Sequence, residues 1–329
     1  MSSFLSDYQY QLPSELIASH PLKEREASRM LVVHRQSGTL EHRFFRDLGE
    51  YITENDLLVL NNSKVIPARL YDPSRRVEVL LIEKKDPLHW VAMVKPGRRM
   101  LLGASVTLAN SHVEVKEIFE DGTRLLAFDS PPDLEKWGEL PIPPYLKRPR
   151  EPEDQVRYQT VFAQEAGSIA APTAGLHFTK EILNQFEHLF LTLHVGPGTF
   201  LPVKVHDLSE HQMHREYYKI NESVALRLNE YLASPPGRLL AVGTTTVRVL
   251  ESLPPGPIMA GEGSTSLFIR PPYCFERVNA LLTNFHLPGS TLLMLVSALL
   301  GRERMLEIYH IAIAKKYRFF SYGDCMLIL

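Results

Sequence analysis

The chain has 329 residues, 44% of them hydrophobic, a net charge of −2 and two cysteines, Cys274 and Cys325, with no CxxC. This composition suits a real core and suggests two domains, and it excludes a globally basic nucleic-acid binder, a zinc ribbon and a disulfide framework. No signal sequence opens MSSFLSDYQYQ, and the longest apolar run, Leu292 to Leu300, is interrupted by Ser297 and too short for a bilayer, so a soluble cytoplasmic protein without membrane contact is expected.

Pro13 to Ser19 reads as a short helix with proline near its first turn. RMLVVHRQSGTLEHRFF reads as a hairpin around Gln36-Ser37-Gly38. DLGEYI follows as a short helix and DLLVLN as a buried strand. The texture changes after Pro67. RVEVLLIE, HWVAMVKPG, ASVTLAN and HVEVKEIFEDGTRLLAF show partial alternation, with Asp121-Gly122 as a hairpin turn. No helical period appears from Ala68 to Phe128, which predicts a small all-β unit, most simply a barrel. Seven prolines between Pro131 and Pro152 then predict an ordered but irregular connector.

From Tyr158 on, strands and helices alternate. FLTLHV is a strand, followed by the turn Gly196-Pro197-Gly198; NESVALRLNEYLA is a helix capped by Asn221. RLLAVG is a strand and TTTVRVLESL a helix; VNALLTNF is a strand and TLLMLVSALLG a helix. This alternation argues for an α/β layer. The expected fold is a mixed α/β main domain from residues 1–67 and 153–329. Residues 68–152 would form an inserted antiparallel β-barrel with its proline-rich connector.

Three turns share one design: GPGTF (196–200), GTTT (243–246) and NFHLPGST (284–291). Each follows an apolar strand, and the last two lead into helices opened by Thr or Ser. GSIAAPTAGLHFTKEIL (167–183) repeats the design, with His177 before Thr179 as a helix N-cap. In open α/β sheets, ligands bind beyond the carboxyl ends of strands, against helix N-termini that favour anions. If these strands are parallel neighbours, the turns line one crevice. The binding candidates are then Thr173, Gly175, Gly198, Thr199, Thr244, Thr245, Asn284, His286, Ser290 and Thr291.

Six of thirteen histidines fall between His177 and His214. His206, His211 and His214 with Glu210 or Glu216 resemble a metal set, but no HExxH is present, and a hydrogen-bonded cluster is the plainer reading. No metal is expected. His177, His214 and Glu216 are better placed for proton transfer. Near the carboxyl end, KKYRFFSYGDCMLIL interleaves charge with aromatics, which suits stacking on a base and pairing with phosphate. The alternative is a final strand that buries alternate aromatics and leaves Ser321, Gly323 and Asp324 at its end. Arg318, Tyr322 and Asp324 stand evenly between the two. The basic run Lys147-Arg148-Pro149-Arg150 reads equally as a solvated charge run. Walker A, GxGxxG and GxSxG are absent, which removes P-loop NTPases, ordinary dinucleotide enzymes and α/β-hydrolases.

AAPTAGLHFT, LHVGPGTFLPV, HQMHREYY, AVGTTTVRVLES, LTNFHLPGSTLLMLVSAL and YRFFSYGDCMLI together resemble the S-adenosylmethionine:tRNA ribosyltransferase-isomerase family of queuosine biosynthesis. LPSELIASHPLKEREASRMLVV and NNSKVIPARL extend the resemblance to the N-terminal part; within the β unit only VEVLL and VKPGRR carry it. The family usually shows Asn-Asp where Asn61-Asn62 stand, so Asn62 is given no catalytic role.

The resemblance implies an α/β domain plus a β-barrel domain, and a cytoplasmic monomer. It implies tRNA and S-adenosylmethionine as partners, the latter consumed as co-substrate, and no cofactor. The ribosyl group would pass to the aminomethyl group of a 7-deazaguanine at the tRNA wobble position and rearrange to an epoxycyclopentane. Adenine and methionine leave, and the tRNA carries epoxyqueuosine. Such a reaction needs a base for the acidic C5′ hydrogens, an acid for departing adenine and a proton acceptor for the attacking amine. On this reading Thr173 and Gly175 let backbone approach the ligand, His177 handles a proton, and the helix after Thr179 attracts an anionic group. The GTTT and HLPGST turns hold the methionine carboxylate and ribose hydroxyls, and Arg318, Tyr322 and Asp324 face the tRNA base. The competing readings are a non-catalytic tRNA-binding protein, an ordinary methyltransferase and a metal-dependent hydrolase.

Overall fold

Short apolar runs that lack a helical period become the strands of a sheet whose centre is buried on both faces. The computed structural model describes residues 3–196, 198 and 203–329. One unit comprises residues 1–64, 143–149 and 156–329; the other comprises residues 65–142 and 150–155. In chain order the strands begin with β1 (Arg29–Val33), β2 (Leu40–Phe44), β3 (Leu57–Asn61) and β4 (Ser63–Val65). The smaller unit supplies β5 (Arg69–Tyr71), β6 (Glu78–Lys84), β7 (His89–Lys95), β8 (Ser105–Leu108), β9 (Ser111–Ile118) and β10 (Arg124–Phe128). Then come β11 (Glu165–Ser168), β12 (His188–Leu193), β13 (Glu216–Ile220), β14 (Leu239–Val242), β15 (Gly261–Thr265), β16 (Ala280–Asn284) and β17 (Cys325–Ile328).

Among the described residues, the large sheet has nine strands in the order β15-β13-β12-β3-β14-β16-β17-β1-β2. β12, β3, β14 and β16 run parallel to one another, with Phe190 opposite Leu60, Ala241 opposite Val59 and Val242 opposite Leu282. β3, β14 and β16 are buried at every position, as expected for parallel strands covered on both faces. Alternation sorts their side chains between two cores. Leu31 and Val33 of β1 join Val59 and Leu281 on one face, while Met30 and Val32 join Leu58 and Leu282 on the other. The β1–β2 hairpin turns where the sequence places it, with Gly38 at φ 73°.

The helices are α1 (Leu134–Trp137), α2 (Asp154–Arg157), α3 (Lys180–Leu183), α4 (Glu222–Ala233), α5 (Thr244–Ser252), α6 (Thr291–Leu300) and α7 (Arg302–Ala314). α4 buries Val224, Ala225, Leu228 and Tyr231, one stripe at helical spacing. Asn221 occupies its N-cap position, but its side chain makes no capping hydrogen bond. The first three helices are single turns.

In the smaller unit, six antiparallel strands in the order β5-β6-β7-β10-β9-β8 form a nearly closed, barrel-like sheet. Its core takes alternate residues, such as Val79 and Leu81, Val113 and Val115, with Leu126 and Trp90. The Asp121-Gly122 turn forms as read: Gly122 has φ 85°, and the Asp121 carboxylate accepts from Thr123 N–H at 2.8 Å.

Several local expectations change. Pro13–Ser19 supplies only a 3₁₀ turn, Ser14–Leu16, because Ile17 then bridges in parallel to Phe319. The segment around DLGEYI is a 3₁₀ turn, Phe45–Glu50. α7 begins directly after Gly301, and β13 and the edge strand β15 extend the sheet. The aromatic segment near the carboxyl end is not a strand. β17 begins only at Cys325, and the chain before it bends at Phe320, whose φ is +72°. Tyr317 and Phe319 are buried there against Phe285, with ring centroids at 5.4 and 5.0 Å.

Candidate functional site

Because β12, β3, β14 and β16 are parallel, their following turns open on one edge of the sheet. A cavity lies there with ≈ 680 Å³ of empty space, part of it open to solvent. Thr173, Thr244, Thr245, Asn284, His286 and Ser290 all line it, together with Gly243 and Tyr145.

The GTTT turn forms one wall. Gly243 has φ 90° and ψ 149°, a conformation essentially restricted to glycine, and as the N-cap residue it offers no side chain to cap α5. The first N–H groups of this nine-residue helix thus lack a side-chain acceptor from the N-cap, and the helix dipole adds positive potential. Thr246 is committed to structure, since its hydroxyl donates to Val242 O at 2.8 Å. Thr245 Oγ1 is buried with no hydrogen-bond partner among the described residues.

The NFHLPGST turn forms the opposite wall. Ser290 Oγ accepts from Leu293 N–H at 3.2 Å and donates to Leu287 O at 2.8 Å, so the hydroxyl holds α6 in place as well as lining the cavity. Thr291 starts α6 but does not line the cavity. His286 Nε2 lies 2.9 Å from Thr283 Oγ1, and burial pushes its imidazole down to about 3, so it is neutral. Its backbone is anchored by the hydroxyls of Tyr10 and Tyr309. Asn284 is buried; its amide nitrogen reaches His177 Nε2 at 3.2 Å and Phe320 O at 3.1 Å. Its Oδ1 has no hydrogen-bond partner among the described residues.

His177 departs from the role expected of it. It is 3% exposed, its ring packs on Phe45 at 5.4 Å, and its Nδ1 lies 2.9 Å from Ser28 Oγ. Burial, reinforced by the positive charges of Arg25 and Arg318, pushes the imidazole down to about 3. Both nitrogens are engaged, and the ring lines a smaller cleft with Arg25, Ser28 and Tyr322 instead of the main cavity. Such a group is poorly placed to exchange a proton with a ligand. Gly175 also differs: a Cβ there would lie 2.7 Å from the Phe162 ring and 2.9 Å from the Thr160 methyl, so glycine serves packing. Thr179 does cap its helix, accepting from Ile182 N–H at 3.3 Å, but α3 is a single turn whose dipole is too short to make an anion site.

Glu216 is braced on both oxygens. Oε1 accepts from Gly196 N–H at 2.9 Å, and Oε2 pairs with the buried Arg248. It therefore fixes the start of the GPGTF turn and is not free to act as a base. Gly198 lies under the exposed His214 ring, which a Cβ would approach to 2.8 Å. Thr199 lies outside the described residues.

The carboxyl-terminal trio is not assembled as a base-facing surface. Asp324 is buried, and its two oxygens accept from Arg29 N–H at 3.0 Å and Arg318 N–H at 2.8 Å, a staple between β1 and the turn before β17. Burial raises its carboxyl pKa, with the N–H donors pulling the other way. The Arg318 guanidinium donates to His20 O. Tyr322 is buried edge-on to Tyr158 at 5.9 Å and faces the smaller cleft. Sequence reasoning missed Tyr145, which lines the main cavity from the proline-rich connector with its ring 4.1 Å from Phe320 and its hydroxyl on Ser321. It also missed Ser28.

A family model described as Queuosine biosynthesis protein matches residues 5–328. A protein of Moorella thermoacetica named S-adenosylmethionine:tRNA ribosyltransferase-isomerase is 46% identical, over 99% of either chain. One of the same name from Thermosipho africanus is 47% identical, over 98% of this chain and 99% of that one. A crystal structure of S-adenosylmethionine tRNA ribosyltransferase from Thermotoga maritima superposes with a TM-score of 0.55 at 37% identity, covering 98% of this chain and all of the other.

Proposed function

The chain belongs to the queuosine biosynthesis protein family, and we propose that it works as an S-adenosylmethionine:tRNA ribosyltransferase-isomerase. It transfers the ribosyl part of S-adenosylmethionine to the aminomethyl group of a wobble 7-deazaguanine and isomerises it to give epoxyqueuosine, releasing adenine and methionine. The observation that carries this reading is the main cavity. It brings an uncapped helix N-terminus together with buried polar groups at the carboxyl ends of parallel strands.

An amino-acid carboxylate fits the free N–H groups at Thr244 and Thr245. Thr173, His286 and Ser290 supply polar contacts for the ribose, and the open side admits the tRNA base. Neutral His286 suits hydrogen bonding without adding charge near a sulfonium. Proton transfer is assigned to His214, whose ring is exposed beside Gly198. The enclosing walls limit water around the rearranging sugar. The reaction exchanges no electrons with a further molecule, so no cofactor or metal is assigned. Work on tRNA places it in the cytoplasm; among the described residues no helix is long and apolar enough to cross a membrane. The protein acts as a monomer, a point that light scattering tests.

The deciding experiment mixes the protein with S-adenosylmethionine and tRNA bearing the aminomethyl-deazaguanine. Adenine released only with the modified tRNA, with a matching mass gain on the RNA, supports the proposal. Folded protein that binds tRNA but releases no adenine supports the non-catalytic alternative.

A further inference from the structure

We propose that Ser28 and His177 form a relay that locks the carboxamide of Asn284, so that Oδ1 is presented as a one-sided acceptor for a hydrogen-bond donor of S-adenosylmethionine. The donor is either the α-ammonium or a ribose hydroxyl. This rests on the functional reading above and assigns His177 as a positioning residue.

The relay has a direction. Ser28 Oγ donates its hydrogen to Arg25 O at 3.1 Å, so a lone pair remains for His177 Nδ1–H at 2.9 Å. With the proton on Nδ1, Nε2 carries a lone pair and accepts from Asn284 Nδ2–H at 3.2 Å. The second Nδ2–H donates to Phe320 O at 3.1 Å, with Asp324 O at 3.5 Å. A flipped amide would set Oδ1 against one imidazole lone pair and two carbonyl oxygens, three acceptor–acceptor contacts in a buried site. The imidazole stays neutral because it is buried, and the lock therefore holds at neutral pH.

Locking the nitrogen leaves Oδ1 buried and, among the described residues, without a partner, in a residue that lines the cavity. A buried acceptor without a partner is costly, and native structures keep few of them without a use. An acceptor that cannot turn into a donor repels carboxylate or phosphate oxygens and selects N–H or O–H groups. The two walls thus differ in sign: the start of α5 favours an anion, and Asn284 favours a donor. Thr245 Oγ1, which also has no partner among the described residues, can serve either kind of group. A co-substrate with a carboxylate, an ammonium and two ribose hydroxyls meets both demands.

The test measures Kd by calorimetry for S-adenosylmethionine, its desamino analogue and its 2′-deoxy and 3′-deoxy analogues. In the wild type, deleting the matching donor weakens binding about ten- to a hundredfold. In Asn284→Ala the same deletion costs less than about twofold, because the partner is already gone. His177→Leu behaves like Asn284→Ala, whereas His177→Gln, which keeps an acceptor near the place of Nε2, restores most of the discrimination. The analogue that loses affinity identifies the donor. Ser28→Ala stands in for His177→Leu if the latter fails to fold, and lowers the discrimination in the same direction. Equal losses in wild type and Asn284→Ala for every analogue overturn the inference. So does full discrimination in His177→Leu or, in its place, Ser28→Ala. Wild-type protein that binds no S-adenosylmethionine with the modified tRNA either present or absent overturns the functional reading along with it, whereas tight binding without adenine release leaves the relay standing and removes only the reaction.

Discussion

Gly243→Ala probes the wall that holds the anion. At φ 90° and ψ 149° a residue with a Cβ is strained by about 1–3 kcal/mol. The added methyl would meet Thr245 Oγ1 at 3.6 Å and Ala174 Cβ at 3.7 Å, which are ordinary contacts, so backbone strain is the dominant cost. The turn can keep its shape and lose that stability. Otherwise it rotates the peptide entering α5 and tilts the N–H groups at Thr244 and Thr245. Tilting weakens S-adenosylmethionine binding by up to roughly a hundredfold if all the strain is relieved at the ligand's expense. Urea denaturation and calorimetric binding measure the two shares. Gly256→Ala is the control, because Gly256 also has positive φ, +92°, and an added Cβ would find no atom within 4 Å. The control loses stability and keeps its Kd. If Gly243→Ala matches the wild type in both denaturation midpoint and Kd, the reasoning about this turn is wrong. If only stability falls, the turn has kept its shape and the fold has absorbed the strain.

His177 and His286 are both pushed down to about 3 in the folded state, from 6.5 in a solvated histidine. The unfolded chain therefore binds more protons between those values, so stability is full above about pH 6.5 and falls as pH drops towards 3. By pH 5 the loss is about 2 kcal/mol per histidine, visible as a lower urea midpoint than at pH 7.5; a flat profile would contradict the burial of both rings. Glu216→Gln leaves the buried Arg248 guanidinium without its counter-charge and costs about 3–5 kcal/mol, measured as a drop in Tm. Asp324→Asn can accept from only one of Arg29 and Arg318 N–H, and it costs about 1–3 kcal/mol in urea denaturation, with little change in adenine release if the aspartate is a staple.

The central strands were legible because parallel strands buried on both faces must be apolar throughout, as in LLVLN and ALLTN. The barrel strands were legible through alternation and one Asp-Gly turn. GEGST of β15 has no apolar signature, since an edge strand is specified by its neighbour more than by its own residues. α7 did carry a readable stripe, Met305, Ile308, Tyr309 and Ala312, hidden by its start immediately after α6. The position of the cavity was readable from the turn sequences, but the jobs of single residues were not. His177 depends on Ser28 and Phe45, and Asp324 on Arg29, all brought in from the far end of the chain. Nothing in a local stretch marks a histidine as buried or a carboxylate as fully used.

β17 lies inside the nine-stranded sheet, between β16 and β1. Leu327 sits beside Val32 on one side and Leu282 on the other. During synthesis, then, the hairpin made near the start must wait for residues 325–328 before its place exists. Until they leave the ribosome, β16 and β1 each expose an apolar edge, while the smaller unit, drawn from residues 65–155, already has its whole sequence. The nascent large unit is thus most vulnerable to chaperone capture or aggregation until residues 325–328 have emerged. A ribosome stalled before residue 325 would leave the smaller unit complete and the large sheet unfinished.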